Sequence, residues 1–241
     1  MQQETSEPAS APCEFIDAAE IPGGGALHLV RWGDDFSIQY DDEELMGSQV
    51  RHSEQALATL VCDRLADTIV CGRLADRDAD LLIGGLGMGF TLGAALAALG
   101  SDGSVVVAEL VPKVVAWANG PLAHIFGNSL ADPRVTLEVV DVHDVIARAS
   151  GRYDGILLDV DNGPDGLIQL ANDRLYCNWG LRSAHAALRP GGILAIWSSY
   201  SDADFFERLE RAGFDVDEIT IRADSYGVEA NHTIWMAAKP S

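Results

Sequence analysis

Basic residues are scarce. Sixteen Lys and Arg stand against 37 Asp and Glu, so the 241-residue chain carries a formal charge of -21 at neutral pH. Nucleic acids and anionic membrane surfaces both select basic patches, so neither is expected as a main partner. Cysteine is rare too. Cys13, Cys62, Cys71 and Cys177 stand far apart with no CxxC pair, which excludes a zinc site and a disulfide framework. The six histidines, His28, His52, His124, His143, His185 and His232, show no metal spacing, so no metal is expected. No apolar run approaches the roughly 18–20 residues of a membrane span. The opening MQQETSEPASAPCEF lacks the basic start and apolar core of a signal peptide, which predicts a cytoplasmic protein. A Gly-x-Ser-x-Gly elbow is missing as well, which speaks against a hydrolase triad.

What remains is an ordinary globular composition, 48% apolar and 22% charged. It is long enough for one α/β domain with an appendage. Residues 1–20 are small and polar and predict a disordered tail. Ala26–Arg31 and Phe36–Tyr40 are β-rich runs around Gly33-Asp34, the pattern of a hairpin. Leu57, Leu60, Val61 and Leu65 form a helical stripe in Ser53–Leu65, so residues 21–78 are expected to make a hairpin-and-helix extension.

From residue 79 to 241, strands and helices alternate. Strands are expected at Leu81–Ile83, Ser104–Ala108, Val135–Val140, Gly155–Leu158 and Ile193–Trp197. Helices are expected at Phe90–Leu99, from Pro112, at Val142–Ala149 and at Asp173–Leu188. Ser201-x-x-Asp204 reads as a capping box for one more helix, before strands Val216–Arg222 and His232–Ala238. Apolar strands joined by crossover helices imply a doubly wound, mostly parallel Rossmann-like sheet whose last strand is antiparallel.

In such a sheet the ligand sits beyond the carboxyl ends of the strands. The first end reads Gly84-Gly85-Leu86-Gly87-Met88-Gly89-Phe90. Gly85, Gly87 and Gly89 let the backbone turn and approach a ligand closely. Phe90 occupies the place where a dinucleotide fingerprint needs its third small residue. Glu109 ends the second strand, where an acid accepts ribose hydroxyls, so loop and acid together suit an adenosine-containing ligand. Asp141, at the end of the third strand, is placed either to accept an adenine amino group or to cap the helix that begins at Val142.

The fourth strand delivers Asp159 to the same edge, with Asp161 and Asn162 in the turn behind it. A carboxylate there can hold a cationic substrate and take a proton from an attacking amine. Asp161 and Asn162 equally suit an Asx-turn. Tyr176 and Trp179 on the next helix are spaced either as core aromatics or as pocket lining.

These segments together resemble the spermidine synthase (polyamine aminopropyltransferase) family, a branch of the class I S-adenosylmethionine methyltransferase fold. The likeness runs from about Leu81 to Trp197. Gly85–Leu92 is similar to that family's glycine loop, and Val107-Ala108-Glu109 to its ribose-binding acid. Tyr153–Pro164 is similar to its acidic segment, in which Asp159 matches the catalytic position and Asp161 the second acid. Asp141 and Val142 fall at the adenine contact. Met88 stands in for an acidic residue of the loop, and of a polyamine-gripping Tyr-His-Glu only Glu54 remains in His52-Ser53-Glu54.

The resemblance implies S-adenosylmethionine, or its decarboxylated form, as donor. It also implies a small-molecule amine or other nucleophilic acceptor, a homodimer, and a catalytic group drawn from Asp159, Asp161 and Tyr176. Aminopropyl transfer and methyl transfer both remain open, as do a nicotinamide-dependent oxidoreductase and a nucleoside-binding module without turnover.

Overall fold

The computed structural model describes residues 12–41, 43–70, 78–160, 163–164, 172–225 and 228–241. A four-stranded antiparallel sheet comes first, built in chain order from β1 (Cys13–Glu20), β2 (Ala26–Trp32), β3 (Asp35–Tyr40) and β4 (Glu43–Gly47). The expected hairpin is β2–β3, closed by Gly33-Asp34 between the paired Trp32 and Asp35. Leu27 and Leu29 alternate inward, as do Phe36 and Ile38, and bury one face of this sheet.

Residues 13–20 correct the expectation of a tail that extends to residue 20. They pair with β2 from Cys13 opposite Trp32 to Glu20 opposite Ala26. Polar composition hides this strand, because its anchor is itself polar. Asp17 accepts a hydrogen bond from Trp117 Nε1 at 2.9 Å and pairs with Lys113 at 3.0 Å.

The large sheet has strands β5 (Asp80–Gly84), β6 (Ser104–Glu109), β7 (Val135–Val139), β8 (Tyr153–Leu158), β9 (Leu188–Ser198), β10 (Asp215–Ser225) and β11 (Val228–Ala238). Their spatial order is β10-β11-β9-β8-β5-β6-β7. Every pairing from β9 to β7 is parallel, whereas β11 runs antiparallel to both β9 and β10. The last strand is thus antiparallel as expected, inserted one place in from the sheet edge.

Side chains along the central strands alternate between two cores. Leu81, Ile83, Val105, Val107 and Leu157 pack with the small sheet, α1 (His52–Val70), α2 (Phe90–Ala98) and α3 (Pro112–Ala118). Leu82, Val106, Ala108, Ile156 and Leu158 pack with α5 (Val142–Ala147), α6 (Asp173–Tyr176), α7 (Asn178–Ala187) and α8 (Ala203–Arg211). A short α4 (Ala123–Phe126) follows α3.

Two helix expectations are corrected. The segment Asp173–Leu188 is two helices, because Cys177 is extended at φ -72° and ψ 164° and ends α6 after one turn. Helix α8 is capped by Asp202, whose Oδ1 accepts from the Asp204 and Phe205 amides at 2.8 and 3.0 Å. Ser201, expected as the cap, instead donates its hydroxyl to Glu218 at 2.7 Å.

Candidate active site

Strand order reverses between β5 and β8: from β5 the chain winds outward through β6 to β7, then returns to β8 and on to β9. A crevice opens beyond the carboxyl ends of the strands at such a point. There the protein has a cavity of about 170 Å³. Its floor is formed by Gly85 and Gly87 after β5, Glu109 at the end of β6, and Asp159 after β8. The small sheet closes the other side with Leu27, Ile38, Leu45 and Met46.

The glycines are required by close approach. Gly85 has φ +89°, and a Cβ there would run into the Asp159 carbonyl oxygen. Gly87 has φ +48°, and a Cβ would meet Met46 Sδ at 2.7 Å. Gly89 does not line the cavity; it precedes α2 and packs on Phe126. Met88 is fully buried, and its amide donates to Met46 Sδ at 3.0 Å. From this loop it is Gly85 and Gly87, with no side chains, that face the cavity, so Met88 is no substitute for an acidic ligand group.

Glu109 is buried and holds the loop in shape. Its two carboxylate oxygens accept from the Leu86 and Val111 amides, each at 2.8 Å. Burial pushes its pKa up, and the amide hydrogen bonds offset only part of that rise. The Leu110 and Gly87 amides bear on the same carboxylate, which lines the cavity floor.

Asp141 does what a helix cap does. Its Oδ1 accepts from the His143 amide at 2.9 Å, and its Oδ2 is paired with Arg174. It also lines the cavity, next to Val142. Both of its oxygens are thus engaged inside the protein.

Asp159 and Glu54 bring two acids into the cavity from different elements. Both line the cavity, and Glu54, in the first turn of α1, is buried. Thr91 Oγ1 lies 3.1 Å from Asp159 Oδ2 and 3.3 Å from the Glu54 carbonyl oxygen. Burial, then the like charge of Glu54, pushes Asp159 up to about 7, and the Thr91 hydrogen bond opposes this. Glu54 is raised by its own burial, against the Ser53 hydroxyl that donates to its Oε2 at 2.7 Å. A carboxyl that titrates near neutrality inside a cavity can both take and give a proton.

Solved structures share this fold. A spermidine synthase from Thermotoga maritima superposes with a TM-score of 0.71 at 14% identity, over 93% of this chain and 72% of its own. A spermidine synthase in complex with the transition-state analogue AdoDATO gives 0.74 at 15% identity, over 93% and 73%. A 1,6-didemethyltoxoflavin-N1-methyltransferase from Burkholderia thailandensis gives 0.53 at 21%, over 79% and 80%. The fold is that of the spermidine synthases. No family model and no curated protein matches the sequence.

The remaining expected residues separate. Tyr176 is core: its ring is buried edge-on against Phe205 at 5.8 Å, and it does not line the cavity. Trp179 is exposed, against the His143 ring at 5.1 Å. Asp161 and Asn162 lie outside the described residues. Two cavity residues, and Thr91 beside them, had little or no signal in the sequence. Glu54 was visible only through the resemblance, Thr91 only as part of the glycine-loop segment, and Trp197 only as the last residue of an apolar strand. Trp197 lines the cavity, and its Nε1–H is buried without a hydrogen-bond partner among the described residues.

Proposed function

We propose that this chain is a transferase that moves an aminopropyl-type alkyl group from decarboxylated S-adenosylmethionine to an amine. One observation carries the choice of donor. The charged side chains lining the cavity among the described residues are Glu54, Glu109, Asp141 and Asp159, all acids, with no Lys or Arg among them. The decarboxylated donor presents a sulfonium and an ammonium and suits that field. S-adenosylmethionine itself adds a carboxylate, which would sit among these acids while the Arg174 guanidinium beside them is already paired with Asp141, and this disfavours it.

The residues present fit the donor. Gly85 and Gly87 bring bare backbone to the cavity floor, and the Glu109 carboxylate lies beside them as the acceptor we assign to the ribose hydroxyls. When bound, the donor supplies an electrophilic carbon next to its sulfonium. An acceptor amine enters as an ammonium drawn by the acids, gives a proton to Asp159, and attacks. A C–N bond forms, the C–S bond breaks, and the sulfonium becomes a neutral thioether. The chain contributes alignment, exclusion of water by the apolar small-sheet wall, and a carboxylate that accepts the proton.

Product analysis tests the reading. The protein is incubated with a panel of amines and either donor, and the spent nucleoside is identified by mass spectrometry. Methylthioadenosine from the decarboxylated donor is the expected result. S-adenosylhomocysteine from S-adenosylmethionine would replace this reading with methyl transfer.

A further inference from the structure

The hydrogen-bonded chain that starts at Glu54 leads out of the cavity. Ser53 Oγ donates to Glu54 Oε2 at 2.7 Å, and His232 Nδ1 lies 2.9 Å from Ser53 Oγ. Ser53 and Glu54 are buried, whereas His232, on β11, is partly exposed. The chain therefore joins a carboxyl on the cavity wall to an imidazole that reaches solvent.

A hydroxyl has one proton to give and two lone pairs to receive with, so this chain has two settings. In one, the Glu54 carboxylate accepts from Ser53, and Ser53 accepts from Nδ1–H of a neutral imidazole. In the other, a protonated Glu54 donates to Ser53, and Ser53 donates to a bare Nδ1 while Nε2 carries the imidazole proton. Passing from the second setting to the first moves the carboxyl proton to Ser53 and the hydroxyl proton to Nδ1, and releases one proton at Nε2; a proton taken up by the carboxylate, with the imidazole back in its Nε2–H form, restores the second setting. Nothing else changes.

We propose that Ser53 and His232 are the proton exit of the cavity, carrying to solvent the proton that reaches Glu54. The proposal rests on the transfer reading above for the origin of that proton, which comes from the acceptor ammonium by way of the two cavity acids. The step balances. The amine N–H bond breaks before attack, its proton resides on the acid pair, the Glu54 O–H bond breaks as Ser53 O–H re-forms, and the imidazolium loses its Nε2 proton to water.

The surroundings suit this role. Burial lowers the pKa of His232, so the imidazole is neutral at neutral pH and free to accept. Around it, α1 contributes Ser53 and Glu54, β9 contributes the Trp197 ring at 4.7 Å, and β10 places Ile221 opposite, with Arg222 next along the strand. Glu54 is the acid in hydrogen-bond sequence with it, and Asp159 acts on it through Glu54. A bond that merely pins α1 to β11 would need neither the partly exposed ring nor the carboxyl at the inner end.

Two measurements test the relay, one of them independent of turnover. The first is nitrogen-15 NMR of the His232 imidazole in the wild type, Ser53→Ala and Glu54→Gln. The expected result is a change of tautomer balance in Ser53→Ala and a His232 titration moved to lower pH in Glu54→Gln, where a negative neighbour is gone. An imidazole with the same tautomer and titration in all three proteins overturns the relay, whatever the protein is found to catalyse. The second uses the acceptor identified by product analysis. His232→Ala is expected to lower kcat by about tenfold or more with the donor KM nearly unchanged, and added imidazole buffer to restore kcat. A raised KM with kcat intact, or a kcat loss that imidazole leaves in place, overturns it. Ser53→Ala, which removes one buried atom, gives the same reading if His232→Ala does not fold. Absence of transfer with every donor would count against the transfer reading, while the NMR coupling would still decide the relay.

Discussion

Glu54 and Asp159 meet in one cavity as like charges, one from the first turn of α1 and the other from the end of β8, and each raises the cost of ionising the other. No Lys or Arg among the described residues lines that cavity to relieve them. A pair of this kind holds a proton at a pH where an ordinary carboxylate has lost it, and it attracts a cation strongly once ionised.

The first prediction follows from that pair. As the proton acceptor, Asp159 must be ionised, so turnover should rise with pH through about 7, where it titrates. Glu54→Gln removes the like charge, lowers the pKa of Asp159, and should move the rising limb to lower pH. The check is a kcat profile from pH 5 to 9 for both proteins. A limb that stays in place in Glu54→Gln would mean that the two acids do not act on each other.

The same shift fixes a stability difference. A carboxyl whose pKa is raised on folding binds more protons folded than unfolded, so its contribution is present below its unfolded pKa and is lost as pH rises through about 7. Asp159→Asn carries no such charge. It should match the wild type in Tm below pH 4 and exceed it above pH 7 by a few degrees, about 1–2 kcal/mol once partial access of water is allowed for. At pH 8 it should also turn over about a hundredfold or more slowly. Calorimetric scans at the two pH values show the sign directly. An Asp159→Asn less stable at pH 8 would show that the carboxylate serves the fold.

Much of this arrangement was legible because it lies on regular elements. The apolar runs of β5, β6 and β8 are buried on both faces and are signalled by composition, and the acid that ends β6 and the acid that follows β8 are delivered to the same edge by strand order alone. What was hidden is held by polar contacts between distant segments. Strand β1 is anchored through Asp17 to Trp117. Ser53 and His232 meet only because α1 packs against β11. Tyr176 misled for the opposite reason, since an aromatic near the edge of a helix has the same spacing whether it faces a ligand or the core.

Glu109 provides a prediction about the loop. Its carboxylate is the acceptor for two buried amides, Leu86 and Val111. Glu109→Ala leaves both donors unpaired and removes the acceptor for ribose hydroxyls, so it should cost stability as well as donor affinity, about 1–3 kcal/mol in each. Glu109→Gln keeps one acceptor oxygen and should fall between the two. Titration calorimetry with methylthioadenosine, beside thermal unfolding, separates the effects. A Glu109→Ala protein of lowered Tm but undiminished affinity would remove Glu109 from the nucleoside site and leave it a loop brace.

Gly87 gives the most local test of where the donor lies. Its φ of +48° suits glycine, and its missing Cβ leaves room that Met46 fills from the small sheet. Valine there is strained in the left-handed region by about 1–2 kcal/mol and must displace Met46 Sδ. Thioether displacement is cheap, because a methionine end has several rotamers, so the fold should survive. The valine side chain then projects into the cavity, and donor binding should be lost. Met46→Ala in the same chain separates two causes. If Gly87→Val fails to bind because Met46 has been driven into the cavity, the double variant regains binding. If the valine itself occupies the donor's place, the double variant stays silent, and that is the expected outcome. A Gly87→Val protein that binds methylthioadenosine with wild-type affinity would put the nucleoside elsewhere.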